Sequence, residues 1–165
     1  MHKQILIGWL KDAHTMETRS LPILRRRVGD EPLGVHARAR IESHVRETEQ
    51  HAERLREALQ ALGSAPTAVV GSSEPIVLLT QDITSRVFSD RRVVSAIADL
   101  AAEQFEVAAY TALIAAAEHA GEAEVARLCR LNRGEDEAMA EWLDAHIPIA
   151  LGRTLPQTWA SREPR

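Results

Sequence analysis

The sequence predicts an all-α protein built from four long helices, and two observations support that fold class. Alanine, leucine, arginine and glutamate dominate the 165 residues, whereas aromatic residues make up only 4%; this composition is typical of helical proteins. Apolar residues also recur at intervals of three and four over four long segments, as they do on the buried face of a helix. A chain of this length is enough for one domain with a sizeable core.

The charge and the cysteine content of the chain indicate which binding partners and which cellular compartment to expect. The formal net charge is −4 and the pI is about 6.0, so no basic surface for nucleic acid is expected. The single cysteine, Cys129, excludes an internal disulfide framework and suits a reducing compartment. No apolar run is long enough for a membrane span or has the form of a secretory signal. We therefore expect a soluble cytoplasmic protein that binds neither nucleic acid nor membrane.

The first two helices form a predicted hairpin. Helix one covers about residues 2–28, and Pro22 within it predicts a kink. Residues 29–32 (GDEP) end this helix and start the next, because proline suits the first turn of a helix. Helix two then covers about residues 32–62 and ends before Gly63.

A long connection follows the first hairpin. Residues 63–74 are rich in turn-forming types, and residues 75–88 predict a short extra helix capped by Ser73. The connection therefore spans nearly thirty residues. That length is unusual for a simple turn but sufficient to return the chain along a bundle.

The last two helices predict a second hairpin. Helix three covers about residues 90–120 and helix four about residues 122–146, with Gly121 between them. Pro148 is expected to stop helix four, so we divide the chain into a bundle (1–147) and a C-terminal tail (148–165). Two short-looped hairpins joined by one long crossover are the connectivity of a ferritin-like four-helix bundle.

Polar residues interrupt the apolar seam of each helix near its middle. In antiparallel hairpins, residues equally distant from the turn lie at the same height, so Glu17 is level with His44, and Glu106 with Glu135. The polar residues should therefore converge in one layer of the bundle. The candidates are Glu17, His44, Glu47, His51, Glu103, Glu106 and Glu135.

Such a layer can be explained by metal or by hydrogen bonding. Buried carboxylates alone would repel one another and lose their hydration, and a divalent or trivalent cation removes both difficulties. Carboxylate and imidazole ligands suit iron or manganese, and bridging carboxylates can hold two ions. Taken singly, each residue has a simpler explanation, because a helix histidine is often hydrogen-bonded and a buried glutamate often pairs with arginine.

Three segments carry a resemblance to a known family. They are LKDAHTME at 10–17, HVRETEQHAERL at 44–55 and EQFEVAAY at 103–110. With this spacing, the chain resembles the YciE/YciF-type ferritin-like bacterial proteins associated with stress responses. The resemblance covers about residues 5–145 and implies a ferritin-like bundle, a homodimer and a possible dinuclear metal site. It implies no defined reaction.

The chain departs from the family pattern at two places. The family usually has a histidine where Gln104 stands and a run of glutamates where this chain reads RGEDE at 133–137. Gly134 within that run weakens helix propensity by about 1 kcal/mol relative to alanine. No histidine follows Glu135 at the i+3 position, which is Ala138.

Three functional hypotheses follow. The first is a ferritin-like protein with a possible dinuclear iron or manganese site, which would oxidise ferrous iron or break down peroxide under stress. The second is a non-catalytic structural or stress-associated bundle whose polar layer fixes helix register without metal. The third is a haemerythrin-like oxygen carrier, which is disfavoured because only His44 and His51 are expected to face the core.

Overall fold

The four helices lie in a computed structural model that describes residues 2–29, 34–68, 84, 86–87 and 91–152. They are α1 (His2–Gly29), α2 (Val35–Ala61), α3 (Arg91–His119) and α4 (Ala123–Gly152). Those ranges contain no strand, so the all-α prediction is confirmed. Within them, no helix is both long and apolar enough to cross a membrane.

The helices pack as a four-helix bundle of two hairpins. Helix α1 contacts α2 and α3, and α4 contacts α3 and α2, so α1 lies diagonally opposite α4. Helices α1 and α3 are antiparallel, since Lys3 pairs with Glu122 at one end of the bundle and Arg27 pairs with Asp99 towards the other. The predicted bundle, with its crossover between the second and third long helices, is confirmed.

Two glycines end helices as the sequence predicts. Gly63 and Gly121 both have φ of 74°, a left-handed conformation that glycine adopts without steric cost. After α2, the Ser64 N–H donates to the carbonyl of Leu59 at 2.8 Å. The residues after α3 repeat this pattern, with the Glu122 N–H donating to the carbonyl of Ala117 at 2.9 Å. These bonds satisfy carbonyl groups at the C-terminal ends of α2 and α3.

Two predicted boundaries were wrong. Helix α2 begins at Val35 rather than at 32, because Gly34 is extended, with φ −65° and ψ 156°. Helix α4 does not stop at 146 but continues through Pro148 to Gly152. Proline removes one backbone hydrogen bond, and here that loss falls only four residues before the helix ends. The first residues of the predicted tail are therefore helical, and the division at 147/148 stays a prediction.

Other predicted elements are only partly described. Helix α1 runs through Pro22 without interruption, and the kink expected there stays a prediction. Within the predicted short helix at 75–88, Thr84, Arg86 and Val87 are helical, and its other residues lie outside the described part of the chain. The tail beyond Gly152 also lies outside the described residues.

The core consists of two apolar clusters separated by a polar layer. The larger cluster includes Leu6, Leu10, Leu55 and Leu59, with α3 and α4 contributing Leu113, Ile114, Ala117, Val125, Ala126 and Cys129. The smaller cluster contains Ile41, Met139 and Leu143, against which Val28, Leu100 and Trp142 pack. Burial of these side chains stabilises the bundle by about 25 cal/mol per Å² of apolar surface. The clusters also shield the layer between them from water.

Gly134 provides a test of helix α4 that is independent of the site. It lies on the exposed side of the helix, and a Cβ added there would meet nothing within 4 Å. Gly134→Ala should therefore raise the free energy of unfolding by about 1 kcal/mol, because alanine loses less backbone entropy in a helix. Urea denaturation measures this change. A lower free energy of unfolding than in the wild type would contradict the exposed, regular helix described here.

Candidate metal centre

The polar layer draws buried side chains from all four helices. Each is placed there by the three- and four-residue spacing that directs one face of its helix inward. The members are Glu17 and Ser20 from α1, His44, Thr48 and His51 from α2, Glu103 and Glu106 from α3, and Asn132 and Asp136 from α4. Thr48 Oγ1 bonds back to its own helix, donating to the His44 carbonyl at 2.9 Å. The predicted convergence on one layer is therefore present in the fold.

The first group of ligand atoms comes from Glu17, His51 and Asp136. One atom from each lies within 4.8 Å of the others, and all three side chains are fully buried. His51 Nδ1 is 3.4 Å from Glu17 Oε1 and also 3.4 Å from Asp136 Oδ1. An imidazole nitrogen thus faces two carboxylates contributed by diagonally opposed helices.

The second group comes from His44, Glu103 and Asp136, again with one atom from each within 4.8 Å of the others. His44 Nε2 is 3.0 Å from Glu103 Oε1. Asp136 belongs to both groups and therefore lies between the two histidines, whose ring centroids are 6.4 Å apart. A carboxylate in that position would be available to a cation at either group.

Both histidines have a second carboxylate on their outer nitrogen. His44 Nδ1 is 3.0 Å from Glu47 Oε2, and Arg40 Nη1 donates to the same oxygen at 3.0 Å. His51 Nε2 is 2.7 Å from Glu135 Oε2, which also accepts from an arginine, Arg54 Nη1, at 2.7 Å. Histidines that bind metals usually donate their other N–H to a carboxylate or carbonyl, which fixes the tautomer and the ring orientation.

The surrounding carboxylates raise the pKa of His44. Burial alone would lower the pKa of His44, but Glu103 and Glu47 outweigh it and raise this pKa to about 10. The hydrogen bond to His44 is the main reason that the pKa of Glu47 falls to about 2. Without metal, His44 is therefore a buried cation held between two carboxylates, and a metal ion would replace its proton.

Burial and mutual repulsion oppose ionisation of all the carboxyl groups of the layer unless a further cation is bound. Burial, followed by repulsion from Glu106, Glu17 and Glu103, raises the pKa of Asp136 to about 12. Burial and repulsion from Glu17 and Glu103 likewise raise the pKa of Glu106 well above its ordinary value. The layer is thus short of positive charge.

Several buried atoms of the two groups have no hydrogen-bond partner. They are Glu17 Oε2, His51 Nδ1, Glu103 Oε2 and both carboxyl oxygens of Asp136. Each such atom costs roughly 1–3 kcal/mol if it stays unpaired. The unpaired atoms belong to residues whose ligand atoms cluster, and they are oxygen and imidazole donors, which suit iron or manganese. The residues therefore fit a cation.

The predicted ligands occupy three kinds of position. Glu17, His44, His51 and Glu103 supply atoms to the two groups. Glu47 and Glu135 are half-buried and bind the outer nitrogens of the histidines. Glu106 is fully buried beside the groups and accepts a hydrogen bond from Ser20 Oγ at 2.9 Å. A ligand role for each of the seven stays a prediction.

Sequence reasoning missed Asp136. It predicted Glu135 as the carboxylate on the seam of α4, between Asn132 and Met139, whereas the buried stripe runs through Asn132, Asp136 and Met139 to Leu143. Both readings use intervals of three and four, and they differ by one residue at the carboxylate. The sequence does not separate them, because Trp142 lies seven residues from Glu135 just as Leu143 lies seven residues from Asp136.

Comparisons with known proteins agree with this fold. A protein of Xanthomonas campestris pv. campestris has a crystal structure that matches with a TM-score of 0.75 at 27% identity, covering 93% of this chain and 99% of that one. YcfI from Rhodopseudomonas palustris, whose description suggests a structural role, matches with a TM-score of 0.73 at 25% identity, covering 87% and 93%. Residues 1–155 match the family described as "Domain of unknown function (DUF892)". This chain therefore belongs to the DUF892 family.

Proposed function

We propose that the polar layer binds two divalent cations, iron or manganese, one at each group of ligand atoms. The observation that carries this proposal is the position of Asp136. It is fully buried and shared by both groups, and neither of its oxygens accepts a hydrogen bond, although Oδ1 lies 3.4 Å from His51 Nδ1. A protein that used this aspartate only to fix helix register would be expected to satisfy its oxygens with donors.

Each side chain would have a distinct role in holding the ions. Glu17 and His51 would hold one ion, His44 and Glu103 the other, and Asp136 would contact both. Glu47 and Glu135 would keep the imidazole rings in place from outside, and Glu106 would supply a further carboxylate beside the pair. A bound pair of iron or manganese ions supplies redox chemistry, such as oxidation of ferrous iron or breakdown of peroxide. The apolar clusters on either side would restrict access of water.

The resemblance to YciE/YciF-type proteins supports the same proposal and extends it. It adds a homodimer and a role under stress, which we propose for this chain together with a cytoplasmic location. The location also draws on the single, buried Cys129, which suits a reducing compartment.

A second function, a structural bundle without metal, is favoured by one specific observation. Tyr110 donates to Glu17, and His44 lies within hydrogen-bond distance of both Glu103 and Glu47, so part of the layer is satisfied by protein atoms alone. The structural role suggested for the Rhodopseudomonas protein points the same way. A haemerythrin-like carrier gains less support, because the described layer contains only two histidines.

Metal content and thermal stability separate these functions. Protein purified without chelators and loaded anaerobically with ferrous iron should contain about two ions per chain. A ligand present at a hundred times its dissociation constant stabilises by about 2.7 kcal/mol, so Tm should rise by roughly 5–10 °C for each ion. Elemental analysis and calorimetry measure both quantities.

A test variant and a control variant with the same two types of substitution complete this experiment. Glu17→Gln with His51→Gln should lose the metal-dependent rise in Tm, whereas His36→Gln with Glu42→Gln, both on the exposed side of α2, should keep it. If the wild type holds no metal after ferrous loading and its Tm is unchanged, the metal proposal is wrong and the structural bundle is favoured.

A further inference from the structure

We propose that Arg54 is a positioning residue for the Glu17/His51/Asp136 group alone, and that it makes the two metal positions unequal. The inference rests on the proposed function. Arg54 lies on α2 near the rim of the bundle, with 19% of its side chain exposed. Its guanidinium donates hydrogen bonds to two residues of α4, Glu135 and Asn132. From each of them a chain of hydrogen bonds, called a branch below, continues to a different ligand of the same group.

The first branch leads to His51. Arg54 Nη1 donates to Glu135 Oε2 at 2.7 Å, and Arg54 Nη2 donates to Glu135 Oε1 at 3.1 Å. This two-point contact fixes the carboxylate plane as well as its position. Glu135 Oε2 is in turn 2.7 Å from His51 Nε2. The unpaired Nδ1 of His51 is thereby directed towards Glu17 and Asp136.

The second branch leads to Glu17. Arg54 Nη1 also donates to Asn132 Oδ1 at 2.9 Å. The amide nitrogen of Asn132 then donates to Tyr110 Oη at 2.9 Å and to the His51 carbonyl at 3.3 Å. Since Tyr110 already accepts from Asn132, its single hydroxyl hydrogen is free to donate to Glu17 Oε1. That bond leaves Glu17 Oε2 unpaired and available to a cation.

Arg54 and the His51 carbonyl together set which way this chain of bonds runs, since both hold the Asn132 amide. Without the donor on Oδ1, only the longer bond to the His51 carbonyl, 3.3 Å, would oppose a rotation that presents the amide oxygen to Tyr110. The tyrosine hydroxyl would then donate to Asn132, and Glu17 would lose the bond that orients it. One arginine at the rim thus sets the orientation of two ligands, one on α1 and one on α2.

The other group has a matched arginine with only one branch. Arg40 lies on the same helix with 20% of its side chain exposed, and its Nη1 donates to Glu47 Oε2 at 3.0 Å. Glu47 holds His44. No described bond from Arg40 leads towards Glu103. Replacing Arg40 should therefore disturb one ligand of its group, whereas replacing Arg54 should disturb two.

The experiment is an equilibrium titration with Mn²⁺ or Co²⁺ followed by calorimetry. In the wild type we expect two binding steps, which His51→Gln and His44→Gln assign by each removing one. Arg54→Gln should weaken the step lost in His51→Gln by 10- to 100-fold, the usual effect of losing an outer partner of a ligand. The other step should change less than about threefold. Arg40→Gln should weaken the step lost in His44→Gln, and by less.

A second variant keeps the inference testable if Arg54→Gln folds poorly. Tyr110→Phe cuts only the branch to Glu17 and should weaken the same step as Arg54→Gln, by a smaller factor. Circular dichroism of the stripped proteins checks that each variant folds. If both steps weaken equally, if the His44 step weakens instead, or if neither changes, the inference is wrong while two-ion binding stands. If the wild type shows no binding step, the proposed function itself fails.

Discussion

Asp136→Asn should abolish binding of both ions at metal concentrations that saturate the wild type. Asp136 is the one residue shared by the two groups, so its replacement removes a ligand from each. The amide also lacks the negative charge that the carboxylate would offer to a cation at either group. The metal-dependent rise in Tm, roughly 5–10 °C for each ion, should disappear with the metal. Elemental analysis and calorimetry before and after loading measure the effect.

The stability of Asp136→Asn without metal provides a second test of the same residue. Since burial and neighbouring carboxylates raise the pKa of Asp136 to about 12, the group is protonated in the folded, metal-free protein. Asparagine has the same shape and needs no proton, so metal-free Asp136→Asn should have a Tm at or above that of the wild type. Asp144→Asn, on the exposed side of α4, is the control and should leave metal binding unchanged. Retention of two ions by Asp136→Asn would show that Asp136 is not shared.

Chelator-stripped protein should lose stability as the pH rises above about 6.5. The folded-state pKa of His44 is about 10 and its ordinary value is 6.5. The stabilisation from its bound proton is therefore fully present below about pH 6.5 and lost as the pH approaches 10. The raised pKa of Asp136 acts in the same direction. From the His44 proton, Tm should be about 5–10 °C lower at pH 8.5 than at pH 6.5.

At acid pH the stability of the stripped protein changes in the opposite direction, falling as the pH falls. The pKa values of Glu47 and Glu135 are lowered from 4.5 to about 2, so their contribution is present above about pH 4.5 and lost as the pH falls to 2. On the alkaline side, His44→Gln should reduce the loss of Tm between pH 6.5 and 8.5, whereas His36→Gln, on the exposed side of α2, should not. Stripped wild-type protein that gains stability between pH 6.5 and 8.5 would contradict this charge arrangement. Loaded protein should show the reverse trend, since metal binding releases ligand protons.

The sequence predicted the fold well where local chemistry decides it. Gly63 and Gly121 end helices because only glycine takes the left-handed conformation without cost, and that preference is independent of the rest of the chain. Pro148 led to a wrong prediction of the helix end. Its loss of a backbone hydrogen bond is a local effect, but that loss did not stop α4, which continues to Gly152.

The candidate site could be predicted only in part. Glu17, His44, His51 and Glu103 were found because polar residues in apolar seams are conspicuous at any rotation of the helix. Asp136 and Glu135 are neighbours in the chain, about 100° apart around α4, and a small rotation of the helix decides which carboxylate is buried. Packing against α2 and α3 sets that rotation, and no local pattern contains it.

By itself, the sequence therefore determined that four amphipathic helices would form two hairpins and bring carboxylates and imidazoles to one level. Periodicity and helix-ending residues act within a few turns, so they can be read from the chain. Only the tertiary structure decided that Asp136 is shared by two groups, that Glu47 and Glu135 hold the histidines from outside, and that Arg54 contacts Glu135 and Asn132 at once. Apart from the His44–Glu47 pair, which lies within α2, these are contacts between helices, and they depend on helix rotation and side-chain reach.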